Sequence, residues 1–170
     1  MTAQQRLMKI SQDIAALSEQ VNIIAVSKTF SPEAIAPVLA VGHRVFGENR
    51  VQEAAEKWPN LKASYPDVEL HLIGALQSNK AAQAVALFDV IHSLDRIKLA
   101  SVLAAEMKRQ NRQLKILVQV NTGKEDQKSG IPPEETEEFV ITCRSELGLN
   151  DFAGAANTER NTFKNGGKLV

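Results

Sequence analysis

Apolar runs of strand length alternate with helix-period segments five times between residues 22 and 146, and this alternation constrains the fold more than any other feature. Runs at 22–27 (NIIAVS), 44–46, 69–73 (ELHLI), 89–92 (DVIH) and 115–120 (KILVQV) read as strands. Segments at about 32–41, 49–58, 77–87, 94–111 and 133–146 carry helical spacing. An amphipathic helix precedes them, with Leu7, Ile10, Ile14, Leu17 and Val21 at intervals of three and four. The strands are apolar enough to be buried on both faces, which argues for parallel α/β architecture. Five units suit an open doubly wound sheet, whereas a closed (β/α) barrel needs eight. The pattern by itself leaves both open.

Local signals sharpen the boundaries. Ser31-Pro32-Glu33 offers an N-cap, a first-turn proline and an early acid, and Gly42 a stop for the same helix. Pro37 inside that helix is expected to kink it. From Leu149 the character changes: DFAGAANTERNTFKNGGKLV has only scattered apolar residues. The expected organisation is therefore one α/β domain over 1–150 and an atypical, disordered tail over 151–170.

Ligands of parallel α/β folds bind where the strand-to-helix loops gather, at the carboxyl ends of the strands. Reading past each strand gives Lys28-Thr29, Gly47-Glu48-Asn49, Gly74 with Gln77-Ser78-Asn79, His92-Ser93, and Asn121-Thr122-Gly123. Lys28 stands out because it directly follows the strand NIIAVS, which suggests an amine at the barrel mouth with little room to reach bulk water. Desolvation lowers a lysine pKa from about 10.4 and frees the amine to attack an aldehyde, giving a Schiff base. A lysine that merely snorkels to solvent is the alternative at this point.

Five ordered segments narrow the choice. AVSKTFSPEAI, FGENRVQE, HLIGALQSNK, IHSLDR and VNTGKEDQKSGI together resemble the pyridoxal phosphate homeostasis protein family, whose members are similar to the N-terminal barrel of alanine racemase. The resemblance spans roughly residues 5–150. It implies a parallel (β/α) barrel with pyridoxal 5′-phosphate (PLP) as cofactor and Lys28 as the Schiff-base lysine. It also implies that Asn49 and His71 line the cofactor pocket. Family members continue past the point matching Leu149 with further strand–helix units, including loops that grip the cofactor phosphate. The chain thus reads as an incomplete barrel of about five of the eight units, truncated on its C-terminal side. The function implied is non-catalytic PLP holding and homeostasis, by a monomer, with apo PLP-dependent enzymes as recipients. A PLP-dependent amino-acid racemase, or a truncated product that no longer binds cofactor, are the alternatives.

Composition excludes other classes. Lys plus Arg and Asp plus Glu are 20 each, so no basic field draws the chain to nucleic acid or acidic membranes. The apolar runs are too short to cross a bilayer, and Lys9, Asp13 and Glu19 interrupt the N-terminal stripe where a secretion signal would be apolar. A single cysteine, Cys143, spaced helically with Phe139 and Leu147, reads as a core residue in a cytoplasmic protein. His43, His71 and His92 are scattered along the chain, and no metal site is expected. Gly123-Lys124 and Lys128-Ser129-Gly130 lack the spacing of a phosphate loop, and neither a dinucleotide fingerprint nor a nucleophile elbow occurs.

Overall fold

The computed structural model describes residues 1–16, 21–123 and 129–157. Six parallel strands form one sheet in chain order: β1 (Ala25–Val26), β2 (Val45–Glu48), β3 (Glu69–Leu72), β4 (Val90–Leu94), β5 (Lys115–Val120) and β6 (Phe152–Asn157). Helices α1 (Ala3–Ala15), α2 (Pro32–Ala40), α3 (Val51–Ser64), α4 (Ala81–Leu87), α5 (Ile97–Gln110) and α6 (Thr136–Leu147) precede or separate them. Strictly sequential parallel order is the geometry of a (β/α) barrel wall rather than of a doubly wound sheet, whose order reverses at a switch point.

The five expected strands are present, with boundaries moved by a few residues. The sixth was not expected: FAGAAN, assigned to the tail, pairs along β5 from Ile116↔Phe152 to Val120↔Asn157. Its small side chains give no apolar alternation to read, so the backbone ladder defines it. The register shifts between Ile116 and Leu117, where β6 carries one extra residue, and Gly154 there has a φ of 145°. The remainder of the expected tail, 158–170, lies outside the described residues.

Helix α3 runs through Pro59 to Ser64 instead of ending at residue 58. Proline removes one intrahelical donor, but Trp58 and Leu61 on either side are anchored in the core, and that packing carries the helix onward. Pro37 likewise lies inside α2, which continues to Ala40. Thr2 and Gln5 form a reciprocal capping box at the start of α1.

Strand alternation sorts the sheet into two unlike faces. Phe46, Leu70, Leu72, Ile91, Leu94, Ile116 and Val118 point to the helices and are all buried, joined by Trp58, Phe88, Leu99 and Leu103 in one core. Cys143 is fully buried in α6, where burial pushes its thiol pKa up. On the other face, the interior side of a barrel wall, Val45, Glu69, His92, Leu117 and Gln119 are half-buried and Lys115 is exposed.

Candidate functional site

The site is built where β1 stops. Ser27 N–H donates to Gly47 O at 2.9 Å, the last ladder bond, and the chain then turns sharply through Ser27–Phe30, with Phe30 N–H donating to Ser27 O at 3.2 Å. Thr29 sits at φ 66°. Left-handed backbone at the third position of a turn is ordinary for glycine, but for a β-branched residue it is strained and must be held by its surroundings.

A buried polar cluster does the holding. Lys57, from α3, is 7% exposed, and its ammonium reaches Ser27 O at 2.8 Å, Phe30 O at 3.1 Å, Glu53 Oε1 at 2.9 Å and Glu48 Oε1 at 2.9 Å. Thr29 N–H donates to the same Glu53 oxygen. Glu48, at the end of β2, is 0% exposed; its Oε1 also accepts from Ser27 Oγ at 2.6 Å and from Trp58 Nε1 at 2.9 Å. Its Oε2 is buried without a protein partner among the described residues. Burial alone pushes the Glu53 carboxyl pKa up. The hydrogen bonds from Lys57 and the Thr29 amide, with the positive charge of Lys57, outweigh it and the net shift is down.

From sequence, Glu48 and Thr29 appear only among the polar residues past their strands, and Glu53 and Lys57 not at all. A signal existed, since Lys57 falls between Ala54 and Leu61 on the apolar stripe of α3 and beside Trp58. A charge inside a buried stripe implies a buried partner, here Glu48.

Lys28 rides at the tip of this turn and is exposed, not enclosed as its position after IIAV suggests. The reason is the open inner face: β1 is an edge strand, two residues long and paired only to β2, so nothing described stands over its carboxyl end. The register sets Val26, Gly47 and His71 in one row across β1, β2 and β3. Lys28 and Asn49 follow two residues further along their own segments. The three candidate residues thus lie on or just past three neighbouring strands, with Lys28 and Asn49 in the loops at their carboxyl ends.

Asn49 is half-buried, and its carbonyl is where the loops after β2 and β3 meet. A Cβ built on Gly74 would lie 2.2 Å from Asn49 O, so glycine there permits a backbone approach that any side chain would block. His71 is 8% exposed, and neither ring nitrogen is free. Nε2 pairs with Glu69 Oε1 and Nδ1 with His92 Nε2, both at 2.8 Å. The sheet thus unites two histidines that look scattered in sequence. Burial lowers both pKa values, partly offset at His71 by Glu69, and at His92 reinforced by His71 and reaching about 4. With both rings neutral and Glu69 ionised, the chain of donors runs from His92 Nε2–H to His71 Nδ1, and from His71 Nε2–H to Glu69. Glu69 is also bridged to Lys115 at 3.2 Å. Of the motif at Gln77–Lys80, Ser78–Lys80 form one 3₁₀ turn leading into α4.

A cavity of about 320 Å³ lies elsewhere, between α1 and the amino-terminal ends of β1 and β2, lined by Ile14, Ile23, His43 and Val45 among others. It is at the wrong end of the strands for the residues above. Most of the loop from Gly123 to Gly130 lies outside the described residues.

The family model for the alanine racemase N-terminal domain matches residues 5–154. A pyridoxal phosphate homeostasis protein from Vibrio alginolyticus is 41% identical over 124 residues, which are 72% of this chain and 53% of that protein. The chain thus spans about half the length of that relative. The structure of PipY from Synechococcus elongatus with PLP bound superimposes with a TM-score of 0.75 at 33% identity, covering 91% of this chain and 72% of PipY. An alanine racemase from Clostridium difficile shares the fold, with a TM-score of 0.69 at 15% identity over 88% of this chain and 39% of its own.

Proposed function

The chain belongs to the alanine racemase N-terminal domain family, among its pyridoxal phosphate homeostasis members, and from that premise we propose that it holds PLP reversibly through the Lys28 amine and hands it on. The observation that supports this most is the Lys28 turn itself, a primary amine presented to solvent from a strained, stapled backbone at the carboxyl end of β1. An aldehyde needs an accessible amine of fixed origin, and Lys28 has both properties. Glycine at 74 lets the loops after β2 and β3 meet at Asn49. His71, its nitrogens committed to Glu69 and His92, offers a ring edge and a fixed neutral dipole rather than a free base. When bound, PLP supplies an electrophilic carbonyl and an electron-withdrawing ring. The residues described fit that aldehyde end of the cofactor.

The role proposed is cofactor handling in the cytoplasm, with apo PLP-dependent enzymes as recipients and a monomer as the working unit. Racemisation would require acid–base groups on both faces of a substrate carbon. The chain's one tyrosine, Tyr65, caps α3 on the far side of the sheet, under the Arg44 guanidinium. The reading is tested by loading the protein with PLP, removing free cofactor and adding an apo PLP enzyme. Activity should return with the wild-type chain and not with Lys28→Ala. Turnover of amino-acid enantiomers by the loaded chain, or equal transfer by Lys28→Ala, would overturn it.

A further inference from the structure

We infer that Glu53 and Lys57 of α3 are positioning residues for Lys28, and that the selectivity of this lysine for an aldehyde depends on their grip on the Ser27–Phe30 turn. The inference rests on the reading of Lys28 as the capturing amine and adds what makes it differ from other exposed lysines. The lysine side chain has four freely turning bonds, so its aim is set by where its Cα and Cβ stand. Those are set by a turn whose strained residue, Thr29, immediately follows.

The pins are specific. Lys57 holds the carbonyls at both ends of the turn, Ser27 O and Phe30 O, and Glu53 holds the amide of Thr29 between them. Phe30 itself is exposed and adds little packing. Without Glu53 the Thr29 amide loses its acceptor, and the residue gains by relaxing to negative φ. That change rotates the plane between Lys28 and Thr29 and shifts the origin of the Lys28 side chain. Lys57 has a second duty as the counter-ion of Glu48, a fully buried carboxylate, whereas Glu53 is 29% exposed and faces the turn. Substitution at Glu53 therefore separates positioning from core stability.

The experiment compares wild type, Glu53→Ala and Glu53→Gln, the last keeping an oxygen acceptor for the Thr29 amide. Each is treated with PLP and borohydride: the amine nitrogen bonds the aldehyde carbon, the carbonyl oxygen leaves as water, and hydride fixes the product for peptide mapping. Amide hydrogen exchange at Thr29 and at core Leu72 is measured alongside. In Glu53→Ala, Thr29 exchange should rise by about tenfold or more while Leu72 is unchanged. The share of label on Lys28 should fall by about tenfold toward that of other exposed lysines. Glu53→Gln should restore most of both. Unchanged Thr29 exchange in Glu53→Ala, or faster exchange with an unchanged Lys28 share, overturns the inference. No preference for Lys28 in wild type overturns instead the functional reading beneath it, and the exchange data still decide whether the staple holds the turn.

Discussion

The two faces of the sheet are made from the same strands and differ in almost every physical respect. The helix-covered face is a continuous apolar core, with Leu70, Leu72, Ile91 and Leu94 at zero exposure. The inner face is half-wet and polar, with Glu69, His71, His92 and Lys115 linked by hydrogen bonds and ion pairs and Lys28 at its rim. The covered face supplies the stability and fixes where each loop emerges; the inner face is free to carry charge because the fold does not depend on its packing. The polar cluster of Glu48 and Lys57 is the exception that joins them, a charged pair on the covered side that reaches up to hold the turn bearing Lys28.

The largest test of this division is a matched truncation. Leu72→Ala on the covered face should cost about 2–5 kcal/mol, from lost transfer energy and a residual cavity. Leu117→Ala on the inner face, where the side chain is already half-exposed, should cost about 1 kcal/mol or less. Chemical denaturation with unchanged m-values measures both, and equal costs would break the comparison.

A smaller effect is expected at the junction of the loops. Gly74→Ala places a methyl against Asn49 O, a backbone atom that cannot swing aside, and the resulting shift should cost about 1–3 kcal/mol. Its distinctive mark is a weakened PLP adduct at denaturant concentrations where the fold is intact.

The inner face also predicts a pH dependence. His71 and His92 have pKa values lowered in the folded state by burial, His92 to about 4, and His43 in the cavity beside α1 is lowered likewise. Between pH 6.5 and about 4 the unfolded chain therefore binds protons that the folded chain refuses. Stability present in full above pH 6.5 is lost as pH falls through this window. With solvent screening the loss should be about 1–2 kcal/mol between pH 7 and 4.5. His92→Gln should flatten the curve there. Carboxylates such as Glu53 and Glu69, whose pKa values are also lowered, add to the loss only from about pH 4.5 downward. A profile equally steep in His92→Gln would contradict the placement of that ring.

The alternating strands and helices were legible because burial on the covered face imposes an apolar rhythm that survives in sequence. Lys28, Asn49 and His71 were singled out only through ordered motifs, since no spacing rule relates them along the chain. What could not be read has physical causes. Phe152–Asn157 is a strand by its backbone ladder alone. Pro59 is overridden by the packing of Trp58 and Leu61. The exposure of Lys28 depends on how little covers the end of β1, a property of tertiary arrangement and not of the run before it.

The smallest stability effect is expected at the residue proposed to capture the aldehyde. Lys28→Ala removes an exposed side chain and should change stability by no more than about 0.5 kcal/mol. Overlaid melting curves would check this, and a large loss would mean that the lysine belongs to the core cluster after all.

The central claim, that one amine at the rim of the inner face is set apart for an aldehyde, is tested most directly by site-resolved labelling. The protein is equilibrated with PLP, reduced with borohydride, digested and mapped by mass, with Lys28→Ala in parallel. The account predicts label concentrated on Lys28 and only slow, scattered label in the variant. Label spread evenly over exposed lysines such as Lys98, Lys108 and Lys115 in wild type, or undiminished total label in Lys28→Ala, would contradict it.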